Sequence, residues 1–148
     1  MAVTILHATD FSEEADGAEA EAIRLVRATG GQLVLLHVAR ETMFYGDTGL
    51  RTAEIRKVYK AQVQWAEARL AERARTLGAD GVPTRWIRRS GVPHEEIVAV
   101  AAREKADYIV IGTHGYGGFS RFMLGSVADK VIRTAPCPVI VVRPTSAS

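Results

Sequence analysis

The sequence predicts an α/β fold in which a parallel sheet carries helices on both faces, and three observations lead there. Short apolar runs alternate with longer helical patterns from one end of the chain to the other. The strongest runs are apolar at consecutive positions, the pattern of strands covered on both sides rather than on one. The resulting order, β-α-β-α-β-α-β-α-β, puts a helix in each crossover, which implies parallel strands and right-handed connections. At 148 residues the chain has the length of one domain, expected here over 1–148 with a loose tail at 144–148.

The first strand is expected at Val3-Thr4-Ile5-Leu6. A helix follows on Ala15, Ala18, Ala22, Leu25 and Thr29, which step by three and four. Glu13 and Glu14 near its start and Arg24 and Arg27 near its end complement the helix dipole, and Gly30-Gly31 supplies the stop. Leu33 to Val38 reads as the second strand, and the aperiodic stretch 41–50 as a long loop. Ile55, Tyr59, Val63, Ala66, Leu70, Ala74 and Leu77 mark a second helix ending at Gly78. The polar run Thr84 to Arg88 suits an edge strand. The third helix opens at Pro93, a favoured first helical residue, and runs to about Lys105. Tyr108 to Ile111 is the next strand, a helix from Ser126 stops before Pro136, and Val139 to Val142 is the last strand.

Composition narrows the function classes. Apolar residues make up 47% and charged residues 24%, which excludes a disordered chain. Nineteen basic residues against seventeen acidic ones leave a net charge of +2, so electrostatics give little reason to expect nucleic acid. A single cysteine, Cys137, excludes an internal disulfide and a Cys-only metal site. No apolar run approaches the ~20 residues of a membrane span, and the N-terminus lacks a signal peptide's pattern. The expected location is the cytoplasm, with no membrane partner.

Open α/β sheets bind ligands beyond the carboxyl ends of their strands, where the strand order reverses. The first strand runs into His7-Ala8-Thr9-Asp10-Phe11-Ser12 and the second ends at His37-Val38-Ala39. The fourth runs into Gly112-Thr113-His114-Gly115-Tyr116-Gly117-Gly118-Phe119-Ser120-Arg121, and Gly125-Ser126 then opens a helix. Five glycines in those fourteen residues, 112–125, expose backbone N–H groups, and a glycine-rich loop entering a helix N-terminus suits phosphate. Neither Gly-x-x-x-x-Gly-Lys-Ser/Thr nor Gly-x-Gly-x-x-Gly occurs there; Ser120 stands where the second pattern needs glycine. The pattern present is Gly112-x2-Gly115-x9-Gly125-Ser126.

With its Ile-Gly-Thr-His-Gly, Leu-Gly-Ser-Val and Ala-Pro-Cys-Pro-Val-Ile-Val-Val, the segment from Asp107 to Arg143 resembles the universal stress protein family. Thr9-Asp10-Phe11-Ser12 and Leu35-Leu36-His37-Val38 match as well, and Ala8 departs, standing where many members have proline. The glycine spacing resembles the family's ATP-binding branch. That resemblance implies a Rossmann-like, adenine nucleotide α-hydrolase-like fold with a five-stranded parallel sheet in the order 3-2-1-4-5. It further implies ATP at the switch point, with Mg2+ left open, and a homodimer. Carried onto this chain, Asp10 holds the nucleoside beside Thr9, and the Val38 backbone meets adenine. Gly112, Thr113, His114, Gly115, Gly118, Arg121, Gly125, Ser126 and Val127 surround ribose and phosphates.

Simpler readings stand beside these. Asp10 can cap the first helix, although Ser12 can do so instead, and Ser126 with Asp129 fits a capping box. His114 and Arg121 read equally as solvated loop residues, His7 and His37 as satisfied core or rim histidines, and Cys137 as buried and inert. Trp65 and Trp86 read as packing residues, and Arg88-Arg89 as a solvated strand end. No Ser-His-Asp, Cys-His or clustered carboxylate set can be placed at one strand edge. The expectation is therefore an ATP-binding stress-response or regulatory protein, not an enzyme, with slow hydrolysis compatible. The rivals are an ATPase or a phosphoryl- or nucleotidyl-transfer enzyme, and a nucleotide-free interaction module. The short apolar last strand is expected at a sheet edge, where it would pair with a second copy.

Overall fold

Each expected strand and helix forms. The computed structural model describes residues 2–40, 52–113 and 124–144. In chain order it contains β1 (Thr4–Ala8), α1 (Glu13–Thr29), β2 (Gln32–Arg40), α2 (Thr52–Ala79) and β3 (Thr84–Gly91). Then come α3 (Pro93–Arg103), β4 (Tyr108–Gly112), α4 (Ser126–Thr134) and β5 (Val139–Val142). All strand pairs are parallel and the order is β3-β2-β1-β4-β5. The reversal lies between β1 and its two neighbours, so the crevice opens at the carboxyl ends of β1, β2 and β4. The expected loop at 41–50 and residues 145–148 of the expected tail lie outside the described residues.

The consecutive apolar positions have a direct structural counterpart. Leu6, Val34, Leu36, Ile109 and Ile111 face a core shared with Ile97 and Val100 of α3 and Ala128 and Val131 of α4. Their immediate neighbours Ile5, Leu33, Leu35 and Val110 face the opposite core, shared with Ala18, Ala22 and Val26 of α1 and Leu70 and Leu77 of α2. A run without in/out alternation is what supplies both faces at once. β3 is a polar edge as expected. β5, the other edge, is apolar yet only partly buried at all four positions.

Local details depart from expectation in instructive ways. The inner face of α1 is Ala15, Ala18, Ala22 and Val26. Leu25 packs at its margin, and exposed Thr29 turns its hydroxyl back onto the Leu25 carbonyl. Steps of four after Ala18 keep Val26 on the stripe, whereas Thr29 has rotated off it. Gly30 ends the helix in the left-handed region (φ 69°) and returns its N–H to the Val26 carbonyl. Both tryptophans are more exposed than packing residues should be, Trp65 at 54% and Trp86 at 37%. Trp65 stands one position off the buried stripe beside Ala66, and Trp86 lies on the edge strand. Arg88 is no solvated strand end: its Nε donates to Glu67 of α2 at 2.9 Å and its Nη1 to Ser90 at 2.8 Å. Cys137 is half-buried, with burial and then Asp107 pushing its thiol up, which keeps it protonated and inert.

Candidate functional site

A cavity of about 680 Å³ opens at the switch point, within the size range of small-molecule sites. Its first wall is the turn after β1. Thr9 keeps its N–H on the Leu36 carbonyl at 2.8 Å, so the chain leaves the sheet only at Asp10. Thr9 Oγ1 accepts from the Phe11 N–H, and Asp10 Oδ1 accepts from the Ser12 N–H, each at 3.0 Å. Ser12 is the N-cap of α1, its hydroxyl accepting from the Ala15 N–H at 3.2 Å. The capping reading of Asp10 is thereby corrected: the carboxylate sits two residues too early and braces the true cap.

Within this tight turn Phe11 takes a positive φ of 65°, a strained setting for an aromatic residue. Its ring lies 4.7 Å from that of His37 and 5.1 Å from that of Trp65. The Arg69 guanidinium covers Phe11 at 5.5 Å and Trp65 at 5.1 Å. His37 Nδ1 lies 2.8 Å from the Thr9 carbonyl and donates its proton there. Burial, partly opposed by that bond and by Asp10, pushes His37 below the usual imidazole range. His37 is the satisfied rim histidine that was expected, and it holds the Thr9 turn in place.

The opposite wall is the end of β4 and the start of α4. Thr113 donates its N–H to the Val142 carbonyl at 3.2 Å, and Gly125 returns to donate to the Thr113 carbonyl at 2.8 Å. Gly125, not Ser126, is the N-cap of α4, and among the described residues no side chain caps that helix. The expected capping box at Ser126 is therefore corrected. Ser126 is already the first helical residue, and the Asp129 carboxylate goes to Arg133 instead. An uncapped helix start leaves backbone donors available to an anion. Gly112 has a second role beside the cavity: a Cβ there would meet the Glu14 carbonyl of α1 at 3.3 Å, so its bareness also serves helix packing.

Of the site residues read from sequence, Thr9, Asp10, Val38, Gly112, Thr113, Gly125, Ser126 and Val127 all line this cavity. His114, Gly115, Gly118 and Arg121 lie outside the described residues. Sequence reasoning missed the third wall, formed by Tyr59, Gln62, Trp65 and Ala66 of α2. The available signal was length. A helix of 28 residues is about 42 Å long, more than its strands require, so one end must overhang the sheet. Tyr59 ties that overhang to the sheet by donating to Ser90 Oγ at 2.5 Å. Among the described residues, no three His, Cys, Asp or Glu side chains converge on a metal position, and no helix is long and apolar enough to cross a membrane.

The model of the Universal stress protein family matches residues 1–143. The chain belongs to the universal stress protein family. Its similarity to the family extends to a Thermus aquaticus universal stress protein, at 37% identity over 145 residues, covering 97% of this chain and 100% of that one. The solved universal stress protein UspA of Lactobacillus plantarum superimposes with a TM-score of 0.84 at 25% identity, covering 95% of this chain and 97% of that one. Two more distant structures of the same fold are described as complexes. One is a universal stress protein with cAMP (TM-score 0.70, 23% identity, 97% and 98% covered). The other, from Archaeoglobus fulgidus, is with dAMP (TM-score 0.61, 23% identity, 97% and 98% covered).

Proposed function

We propose that this family member is an ATP-binding stress-response regulator in which nucleotide occupancy sets conformation or partner choice. The observation that carries the reading is a convergence: the uncapped start of α4, the strand end at Gly112-Thr113 and the carboxylate of Asp10 share one cavity of nucleotide size. Phosphates are assigned to Gly125, Ser126 and Val127, where helix dipole and backbone donors favour anions. Asp10 is assigned to ribose, since a carboxylate accepts from hydroxyls and repels phosphate. Val38, across the cavity on β2, is assigned to the base through its backbone. The relatives described with cAMP and dAMP support an adenine nucleotide in this fold. Mg2+ would arrive on the phosphates of ATP, for Asp10 is the one carboxylate among the described lining residues. That lone carboxylate also favours binding over turnover. Mass spectrometry of the molecule that co-purifies, with calorimetric titration of ATP, tests the reading. An adenine nucleotide at stoichiometric occupancy and turnover below about one per second are expected. No binding of any adenine nucleotide would return the chain to the class of interaction modules, and faster turnover to the enzymes.

Assembly follows from the β5 edge, where Val139 to Val142 remain partly exposed and Ile132 of α4 is 46% exposed nearby in sequence. An apolar edge with unpaired backbone groups is hidden by a two-fold copy of itself. A homodimer through β5 is expected by light scattering at tens of micromolar; a monomeric mass would rule that assembly out.

A further inference from the structure

We infer that Gln62 of α2 reads the edge of the base and sets a preference for purines bearing a 6-amino group, an assignment that rests on the ATP reading above. The base end of the cavity lies between β2 and α2, and its described polar side chains are His37, Arg40, Tyr59 and Gln62. Three of these lack the paired donor and acceptor. With Nδ1 donating to the Thr9 carbonyl, His37 has only the acceptor Nε2 left, and with its proton on Ser90 the Tyr59 hydroxyl can only accept. Arg40 offers donors alone, which cannot accept from an amino group. Gln62 is the lining residue whose amide N–H2 and carbonyl are both unspent on other described residues.

Adenine presents an amino donor beside a ring-nitrogen acceptor, on either its N1 or its N7 side. A glutamine amide matches that pair, its carbonyl accepting and its N–H2 donating. Position reinforces the match. Gln62 lies one turn from Tyr59, which is tied to the edge strand, and one turn from Ala66, which is buried in the core at 1% exposure. Its backbone is therefore fixed by contacts on either side, the arrangement a reading group needs, while its own side chain stays exposed for a ligand to cover.

The test compares ATP with purine riboside triphosphate, which differs only in lacking the 6-amino group, by calorimetry on the parent protein and on Gln62→Leu. The parent is expected to prefer ATP by at least about tenfold, and Gln62→Leu to shrink that preference to within about threefold. Melting temperature should be unchanged, because the residue is exposed. Gln62→Glu, which accepts from the amino group but cannot donate to the ring nitrogen, should keep the preference while binding both nucleotides more weakly. An equal preference in parent and Gln62→Leu, or none in the parent, overturns the assignment and leaves ATP binding standing. A parent protein that binds neither nucleotide overturns the ATP reading itself.

Discussion

Ser126→Ala is expected to melt within about 1 °C of the parent protein and yet to lose at least about tenfold in ATP affinity. Both halves of that result follow from the start of α4. Had Ser126 been the N-cap, its loss would cost about 1 kcal/mol of stability, or roughly 2–4 °C in a domain of this size. Gly125 is the cap, however, and Ser126 makes no capping bond, so nothing structural is removed. A charge-assisted bond from its hydroxyl to phosphate is worth about 1.5–3 kcal/mol, which is tenfold or more in affinity. AMP should lose less than ATP, since its single phosphate need not reach the helix. Asp10→Ala supplies the contrast, weakening adenosine and ATP alike and lowering the melting temperature through the unbraced Ser12 N–H. A Ser126→Ala protein that binds ATP as the parent does would take that serine out of the site.

The second large effect is in pH. His7 is fully buried on β1, with Nδ1 donating to the Val110 carbonyl at 2.9 Å and Nε2 without a partner among the described residues. The expected core histidine is thus satisfied on one side only. Burial holds its titration below the ordinary 6.5, against the bond to Val110 and the fields of Glu19, Asp10 and Asp16. A folded-state value below the unfolded one means that the unfolded chain takes up the proton first. The stability from neutral His7 is therefore complete above about pH 6.5 and lost as pH falls beneath it. His37 adds to the same trend, being shifted in the same direction. Between pH 7.0 and 5.5 the parent is expected to lose about 1–2 kcal/mol, or several degrees of melting temperature. His7→Leu should flatten that decline, the remainder belonging to His37. An equally steep decline in His7→Leu would assign the pH dependence to other groups.

How much of this was legible in the sequence depends on which forces set each feature. The sheet and its two cores were readable because consecutive apolar residues such as Leu33 to Leu36 admit no half-exposed strand. Strand order was a different matter: periodicity alone gives parallel strands, and 3-2-1-4-5 came from the family resemblance. At the site, Thr9, Asp10, Val38, Gly112, Thr113, Gly125, Ser126 and Val127 line one cavity, because strand ends and helix starts converge by topology. What escaped were the contacts decided by tertiary packing. The α4 cap fell on Gly125, whose N–H is held by the distant Thr113 carbonyl, a choice that Ser126-Val127-Ala128-Asp129 does not reveal. The α2 wall escaped because Tyr59 and Ala66 fit one helical stripe, although one meets the core and the other hangs above the crevice.

That division of α2 bears on how such a protein can change over generations. Its second half answers to the core through Ala66, Leu70, Ala74 and Leu77, and tolerates little exchange of volume. From position 53 to Trp65 not one side chain is buried. Drift can therefore rewrite this stretch, including three of the residues that look into the cavity, without reopening the problem of folding. Duplicated copies of the gene are free to diverge along this wall while inheriting one sheet, one pair of cores and one helix start at the switch point.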